Sequence, residues 1–400
     1  MPELSFNTLL VVAVIALAAP LLVRLAPPLR LPAVVLEILL GIAVGPSGLD
    51  WVEVDVPTDV LARFGLGFLL FLAGLEIDPR KLRGGAGRIA VAFAASFALA
   101  LVAGIGTDLF GETDAPLFVA IALVSTSLGL VVPVLRDAGQ TDTEFGQLVL
   151  AASSVAEFGS IVLVSLFFSQ NASSTESTVF LLVAFAVLVA VIGLALSRAG
   201  RSIHVSGTLL RLEETTAQFG VRVAIALLAV FFVLSAELGL ETILGAFVAG
   251  ALLRVVDRDQ HLVHERFRAK VEAIGYGFLV PVFFVATGLQ FDADALFAEP
   301  EHILLIPAFL VALLVVRGAP ALLYRPLVGS TRRVAAAGLL QATSLTFILV
   351  AAHLGRQLDV FDAATSAALI TAGLVSVVVY PPLALALLSS ASGERPVRSG

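Results

Sequence analysis

Long apolar runs follow one another along the chain, separated by short polar connections. A helix needs ~20 mainly apolar residues to cross a bilayer. Thirteen runs of about that kind can be drawn, at roughly 6–25, 32–48, 58–76, 88–110, 115–136, 145–168, 178–197, 218–237, 240–256, 273–291, 303–324, 333–353 and 363–389. The second and ninth are short and carry Gly, so they are expected to tilt or to cross only in part. Runs eight and nine are parted by Glu237-Leu-Gly-Leu-Glu241, which reads as a tight turn. None of the runs shows the in–out alternation of a membrane barrel strand. The pattern predicts an all-α polytopic membrane protein.

Two runs are interrupted by polar residues. Run five contains Val124-Ser125-Thr126-Ser127-Leu-Gly129, followed by Pro133, and run twelve contains Leu340-Gln341-Ala-Thr343-Ser344-Leu-Thr346. Hydroxyls in membrane helices commonly bond back to their own carbonyls or join neighbouring helices. Poorly helical patches at corresponding places in two halves of a chain point instead to broken helices around a binding site.

Composition sharpens the class. Hydrophobic residues make up 59% and charged residues 14% of the 400, and mean hydropathy is +1.03, outside the range of soluble domains. There is no Cys, hence no disulfide and no thiolate metal site. The five His lie in loops or at run ends, so no triad or metal cluster is expected, and no cofactor. Nucleic-acid binding has no basic aromatic surface to rest on. The first run follows Met-Pro-Glu with no basic segment before it, so it is expected to remain as a span.

The placement of charge gives orientation. Connections after odd runs carry the Arg, including Arg24, Arg80, Arg201, Arg258 and Arg332; those after even runs carry acids, including Asp50, Glu112, Glu176 and Asp292, and only the last is mixed, with Arg356 beside Asp359 and Asp362. By the positive-inside rule the N-terminus faces outside and the C-terminus the cytoplasm. Thirteen spans suit two six-span halves of inverted topology joined by a linker helix. The expected division is residues 1–170 as the first repeat, 171–212 as linker helix and cytoplasmic loop, 213–390 as the second repeat, and 391–400 as a short cytoplasmic tail.

Charges inside the spans are few. Glu157 lies about twelve residues into run six, near its middle. A charged side chain there costs at least ~2.5 kcal/mol, and such acids mark ion or proton pathways; a Glu paired or neutralised for helix packing is the plainer reading. Arg317 lies deep in run eleven. It cannot deprotonate and needs a permanent partner. That partner is either Glu157 or the carbonyls of a broken helix; snorkelling to an interface is the remaining option. Glu37, in Val34-Val-Leu-Glu37, is a third buried acid. Glu76 reads as a helix-end capping and gating position.

Four stretches resemble the second family of monovalent cation:proton antiporters: Gly65–Pro79, which reads Gly-Leu-Gly-Phe-Leu-Leu-Phe-Leu-Ala-Gly-Leu-Glu-Ile-Asp-Pro, together with Ser125–Gly129, Leu244–Leu253 and Phe278–Asp292. The resemblance implies a core domain of broken helices crossing at the midplane, a second domain for dimerisation, and residence in a prokaryotic cytoplasmic membrane. In the family, span six carries a pair whose second Asp binds cation and proton competitively. Ala156-Glu157 matches that pair, with Glu for Asp and no ligand at the first position. The neutral first residue leans toward electroneutral exchange. Arg317 matches the family's basic position. Many relatives carry a regulatory nucleotide-binding domain after the last span, and none is expected here.

The expected mechanism is alternating access with one shared acid. Burial disfavours the bare carboxylate, so Glu157 holds either a proton or a Na⁺ or K⁺, with Ser125, Thr126, Ser127, Thr343 and Ser344 as candidate further ligands. Two other functions fit the sequence: a non-transporting cation or pH sensor descended from an antiporter, suggested by Ala156, and a Na⁺-coupled organic-anion symporter of similar topology.

Overall fold

In the computed structural model the described residues are 7–25, 32–76, 86–109, 115–141, 143–168, 183, 187, 218–238, 240–256, 265–298 and 300–392. The expected run at 178–197 apart from residues 183 and 187, the basic loops at 77–85 and 257–264, and the tail from 393 lie outside them. Every described secondary-structure element is helical. Ten helices are long and apolar enough to cross a membrane, and Ala33–Val44 and Thr242–Arg254 are shorter apolar helices. This is a polytopic membrane fold of about thirteen helices.

In chain order, the helices of the first half are α1 (Asn7–Leu25), α2 (Ala33–Val44), α3 (Val56–Glu76), α4 (Ala86–Leu109), α5 (Pro116–Leu123), α6 (Leu128–Asp137) and α7 (Glu144–Phe167). There follow α8 (Phe219–Glu237), α9 (Thr242–Val256) and α10 (Glu265–Ile274), which runs through a π-helical turn at Gly275–Leu279 into α11 (Val280–Leu289). After the short α12 (Ala293–Phe297), α13 (Pro300–Leu313) passes into a π turn at Leu314–Gly318, a 3₁₀ segment at Ala319–Tyr324 and α14 (Arg325–Val328). The chain ends with α15 (Thr331–Ala342), α16 (Thr346–Gln357) and α17 (Ala363–Ser392). Pro381 and Pro382 lie inside the continuous α17.

The chain divides into two compact units, and neither is one sequence half. The first comprises residues 1–28, 36–79 and 161–290; the second comprises 29–35, 80–160 and 291–400. Each draws on both halves.

In the first unit, α3 and α9 meet backbone to backbone. A Cβ on Gly74 would sit 2.1 Å from the Phe247 carbonyl oxygen, and one on Gly250 would sit 1.9 Å from that of Phe71. Lipid offers no hydrophobic drive for helix association, so close van der Waals contact through small residues takes its place. A second seam joins α2 to α11 through Gly41 and Gly288. Val12, Ile15, Ala62, Val282, Val285 and Leu289 pack around it.

In the second unit, Leu135, Val149, Ala152, Tyr324, Ala337 and Leu340 form the interior. Phe118 meets Phe361 edge-on at 5.1 Å. Within this unit lie both broken helices, Glu157 and Arg317.

Candidate functional site: the helix crossing

Each polar patch noted in the sequence breaks its helix. The chain leaves helical geometry between Leu123, the end of α5, and Leu128, the start of α6, with Ser127 extended at φ −78°, ψ 94°. Likewise Thr343, at φ −72°, ψ 104°, parts α15 from α16. A break frees backbone donors and acceptors that cannot be left bare in a membrane protein. Here the two breaks satisfy each other.

Ser127 does most of the joining. Its N–H donates to the Thr343 carbonyl at 3.0 Å. Its hydroxyl oxygen accepts from the N–H groups of Leu345 at 2.7 Å and Thr346 at 2.8 Å. A residue of one broken helix thus caps the first turn of the other. Ser125 donates to the Ala122 carbonyl at 2.9 Å. A hydroxyl has one proton, so in the 2.7 Å contact between Ser125 and Ser344 the donor is Ser344. Thr343 donates back to the Leu339 carbonyl at 3.1 Å. All five candidate ligand residues are fully buried and brought together.

The first turn of α6 has a different cap. The Leu128 N–H donates to Glu157 Oε2 at 3.2 Å. Glu157 is 1% exposed and projects from the middle of α7. The positive end of a half-helix favours a carboxylate. One half-helix therefore begins at a neutral hydroxyl and the other at an ionisable acid.

Arg317 serves the opposite poles. It is 2% exposed and lies in the π turn that follows α13. Its Nε donates to Thr126 Oγ1 at 2.9 Å, Nη1 to Ser96 Oγ at 3.1 Å and Nη2 to Gln341 Oε1 at 3.2 Å. Thr126 in turn donates to the Gln341 carbonyl at 2.6 Å, at the end of α15. The cation stands near a helix C-terminus, the pole that favours it. Among the described residues no hydrogen bond or ion pair joins Arg317 to Glu157. The charge partner sought in the sequence is replaced by neutral groups of the crossing, because the π turn aims the guanidinium at Thr126 and Gln341.

Several members of this constellation were missed in the sequence. Ser96 is a single Ser in an apolar helix and gave no signal. Gln341 was read only as part of a break. Ser153 was legible, since it lies one turn before Glu157 on the same helix face. Its hydroxyl is buried and has no hydrogen-bond partner, as does the Gln341 Nε2. Ser376 accepts from the Ser344 N–H at 3.2 Å and ties α17 to the second break.

Glu37 and Glu76 stand outside this site. Both belong to the first unit, and Glu76 lies 3.6 Å from Arg268 in an ion pair at the end of α3. Among the described residues there is no group of three His, Cys, Asp or Glu able to hold a metal.

Two broken helices that cross, one capping the other, beside a buried acid are the arrangement of a crossed-helix membrane transporter. The family described as "Sodium/hydrogen exchanger, transmembrane" matches residues 12–388, and the chain belongs to that family. YjbQ of Bacillus subtilis (strain 168) is 31% identical over 397 residues, 95% of this chain. The chain spans 63% of the length of that relative. The Na(+)/H(+)-K(+) antiporter GerN of Bacillus cereus is 28% identical over 302 residues, covering 74% of this chain and 73% of GerN. The sodium proton antiporter MjNhaP1 of Methanocaldococcus jannaschii, solved at pH 8, shares the fold with a TM-score of 0.65 at 17% identity, over 96% of this chain and 98% of that one.

Proposed function

We propose that the protein exchanges a monovalent cation, Na⁺ or K⁺, for H⁺ by alternating access, with Glu157 as the acid that binds either ion. One observation carries this reading. Glu157 is buried at the start of α6 and accepts from its first N–H, within a chain of the sodium/hydrogen exchanger family.

The helix terminus and the Leu128 N–H stabilise the ionised acid enough to bind a cation. Burial destabilises it enough to take a proton when the cation leaves. Ser153, one turn away with an unused hydroxyl, and the oxygens of Ser125, Thr126, Ser127, Thr343 and Ser344 are the candidate further ligands. Arg317 holds the crossing together and supplies fixed positive charge near the site. Ala156, unable to carry charge, favours one cation per proton. The name of GerN, an exchanger of both cations, leaves room for either here.

Finer assignments belong to the same proposal. The Gly65–Pro79 stretch supports the second monovalent cation:proton antiporter family. Alternating charge supports inverted repeats at 1–170 and 213–390, with the N-terminus outside and the C-terminus in the cytoplasm of a prokaryotic cell. A homodimer is proposed from the family resemblance.

The test is proton flux in proteoliposomes, followed with a pH-sensitive dye while Na⁺, K⁺, Li⁺ and choline are added in turn. Flux with Na⁺ or K⁺ but not choline is expected. Folded, inserted protein that moves no protons with any of them would contradict the proposal.

A further inference from the structure

The first unit contains an acid that the exchange scheme does not use. Glu37 is 5% exposed, and among the described residues it makes no hydrogen bond and no ion pair. Its place on α2 is telling. Residues 37, 41 and 45 recur at intervals of four and share one helix face. On that face Gly41 and Gly45 touch α11: a Cβ on Gly41 would lie 2.5 Å from the Val285 carbonyl oxygen and 3.0 Å from Gly288 Cα, and one on Gly45 would lie 3.1 Å from Leu289 Cα. The acid therefore stands one turn below a backbone-to-backbone seam, on its inner face.

Among the described residues no opposite charge is paired with it, and the segment between α2 and α3, which packs at this seam through Val52 and Val54, brings only acids, Asp50, Glu53 and Asp55. Of the elements clustered at this seam, α1 offers only Arg24, which is exposed at its end. The charges of α3 are Asp59 and Arg63, paired with each other at 2.8 Å, and Glu76, paired with Arg268 at 3.6 Å. Helix α11 has no titratable side chain, and the adjoining π turn has only the exposed Tyr276.

We infer that Glu37 is a second proton-binding site, separate from the helix crossing, and that its proton holds α2 against α11. A bare carboxylate on the seam costs several kcal/mol without a partner. Parting the two helices relieves loss of the proton. The first unit thus carries a seam that loosens on the alkaline side.

Infrared spectroscopy of reconstituted full-length protein reads this proton directly, through the C=O stretch of a protonated carboxyl. In a Glu157→Gln background, where the exchange acid is silent, a protonated-carboxyl band at neutral pH is expected. Adding Glu37→Gln, which keeps shape without the acid, is expected to remove the part of that band that Glu241 does not supply. A band of equal size in both proteins would overturn the inference. Hydrogen exchange on the unmodified protein gives a second reading. Amides 33–44 are expected to lose protection as pH rises, beyond the base catalysis seen in α3. Protection that follows α3 throughout would equally overturn it.

Discussion

Ser127 and Leu345, 218 residues apart in the chain, are joined by a hydrogen bond of 2.7 Å from the Leu345 N–H to the Ser127 hydroxyl. With the bond from Thr346, it makes a side chain from one break the N-cap of the opposite half-helix. Ser127→Ala leaves two N–H groups without their cap in a fully buried place. A lost cap costs about 0.5–2 kcal/mol, and unsatisfied buried donors about 1–3 kcal/mol each. A fall in thermal unfolding temperature in detergent is expected, with Ser127→Thr retaining part of the stability.

Thr126 stands between Arg317 and the Gln341 carbonyl. Thr126→Val keeps the volume but removes both bonds, so a buried cation loses one of three acceptors. Thr126→Ser retains them. The Val variant is expected to lose about 2–4 kcal/mol in reversible unfolding in micelles, with the Ser variant close to the parent.

Glycine positions separate packing from propensity. A Cβ on Gly250 has nowhere to go, being 1.9 Å from the Phe71 carbonyl oxygen, whereas one on Gly106 meets nothing within 4 Å. Gly250→Ala is expected to abolish recovery of folded protein by size-exclusion chromatography. Gly106→Ala is expected to be neutral or to stabilise by about 0.5–1 kcal/mol, since Ala is the better helix former.

Ser153 lies one turn from Glu157 with its hydroxyl unused. If it serves only packing, removing the hydroxyl relieves a buried polar group and changes little else. As a cation ligand it supports affinity. Ser153→Ala is expected to raise the apparent KM for the cation about 3–10-fold, as loss of one hydrogen-bond-scale contact of ~1 kcal/mol implies, with thermal stability unchanged.

Glu241, in the turn before α9, is half-buried, and burial pushes its carboxyl up from 4.5 to about 7. The nearby helix N-terminus favours the anion, but burial outweighs it. A folded state that binds the proton more tightly than the unfolded chain loses stability as pH rises between those two values. Glu241→Gln escapes that loss. Parent and variant are expected to unfold at similar temperatures at and below pH 4.5, to diverge as pH rises from 4.5 to about 7, and to stay apart above that, the variant being the more stable.

The all-α polytopic class was legible from hydropathy alone, because spans must be apolar for ~20 residues. The two breaks were legible because Ser125-Thr-Ser127 and Thr343-Ser344 sit in otherwise apolar runs. The capping of the second broken helix by the first was not, since it depends on bonds across more than 200 residues of sequence separation. Arg317 shows the limit most clearly. Its burial followed from sequence, but its partners depend on a π turn that apolar periodicity does not encode. The division into two units was hidden for the same reason: each gathers helices from both halves.

The central claim is that one carboxyl takes either ion. The direct measurement is proton release on cation binding, in weakly buffered detergent solution containing the full-length protein. Adding Na⁺ or K⁺ is expected to release protons from the parent protein and none from Glu157→Gln, while choline releases none from either. Equal release from the parent and the Glu157→Gln variant would show that the two ions do not compete for this acid.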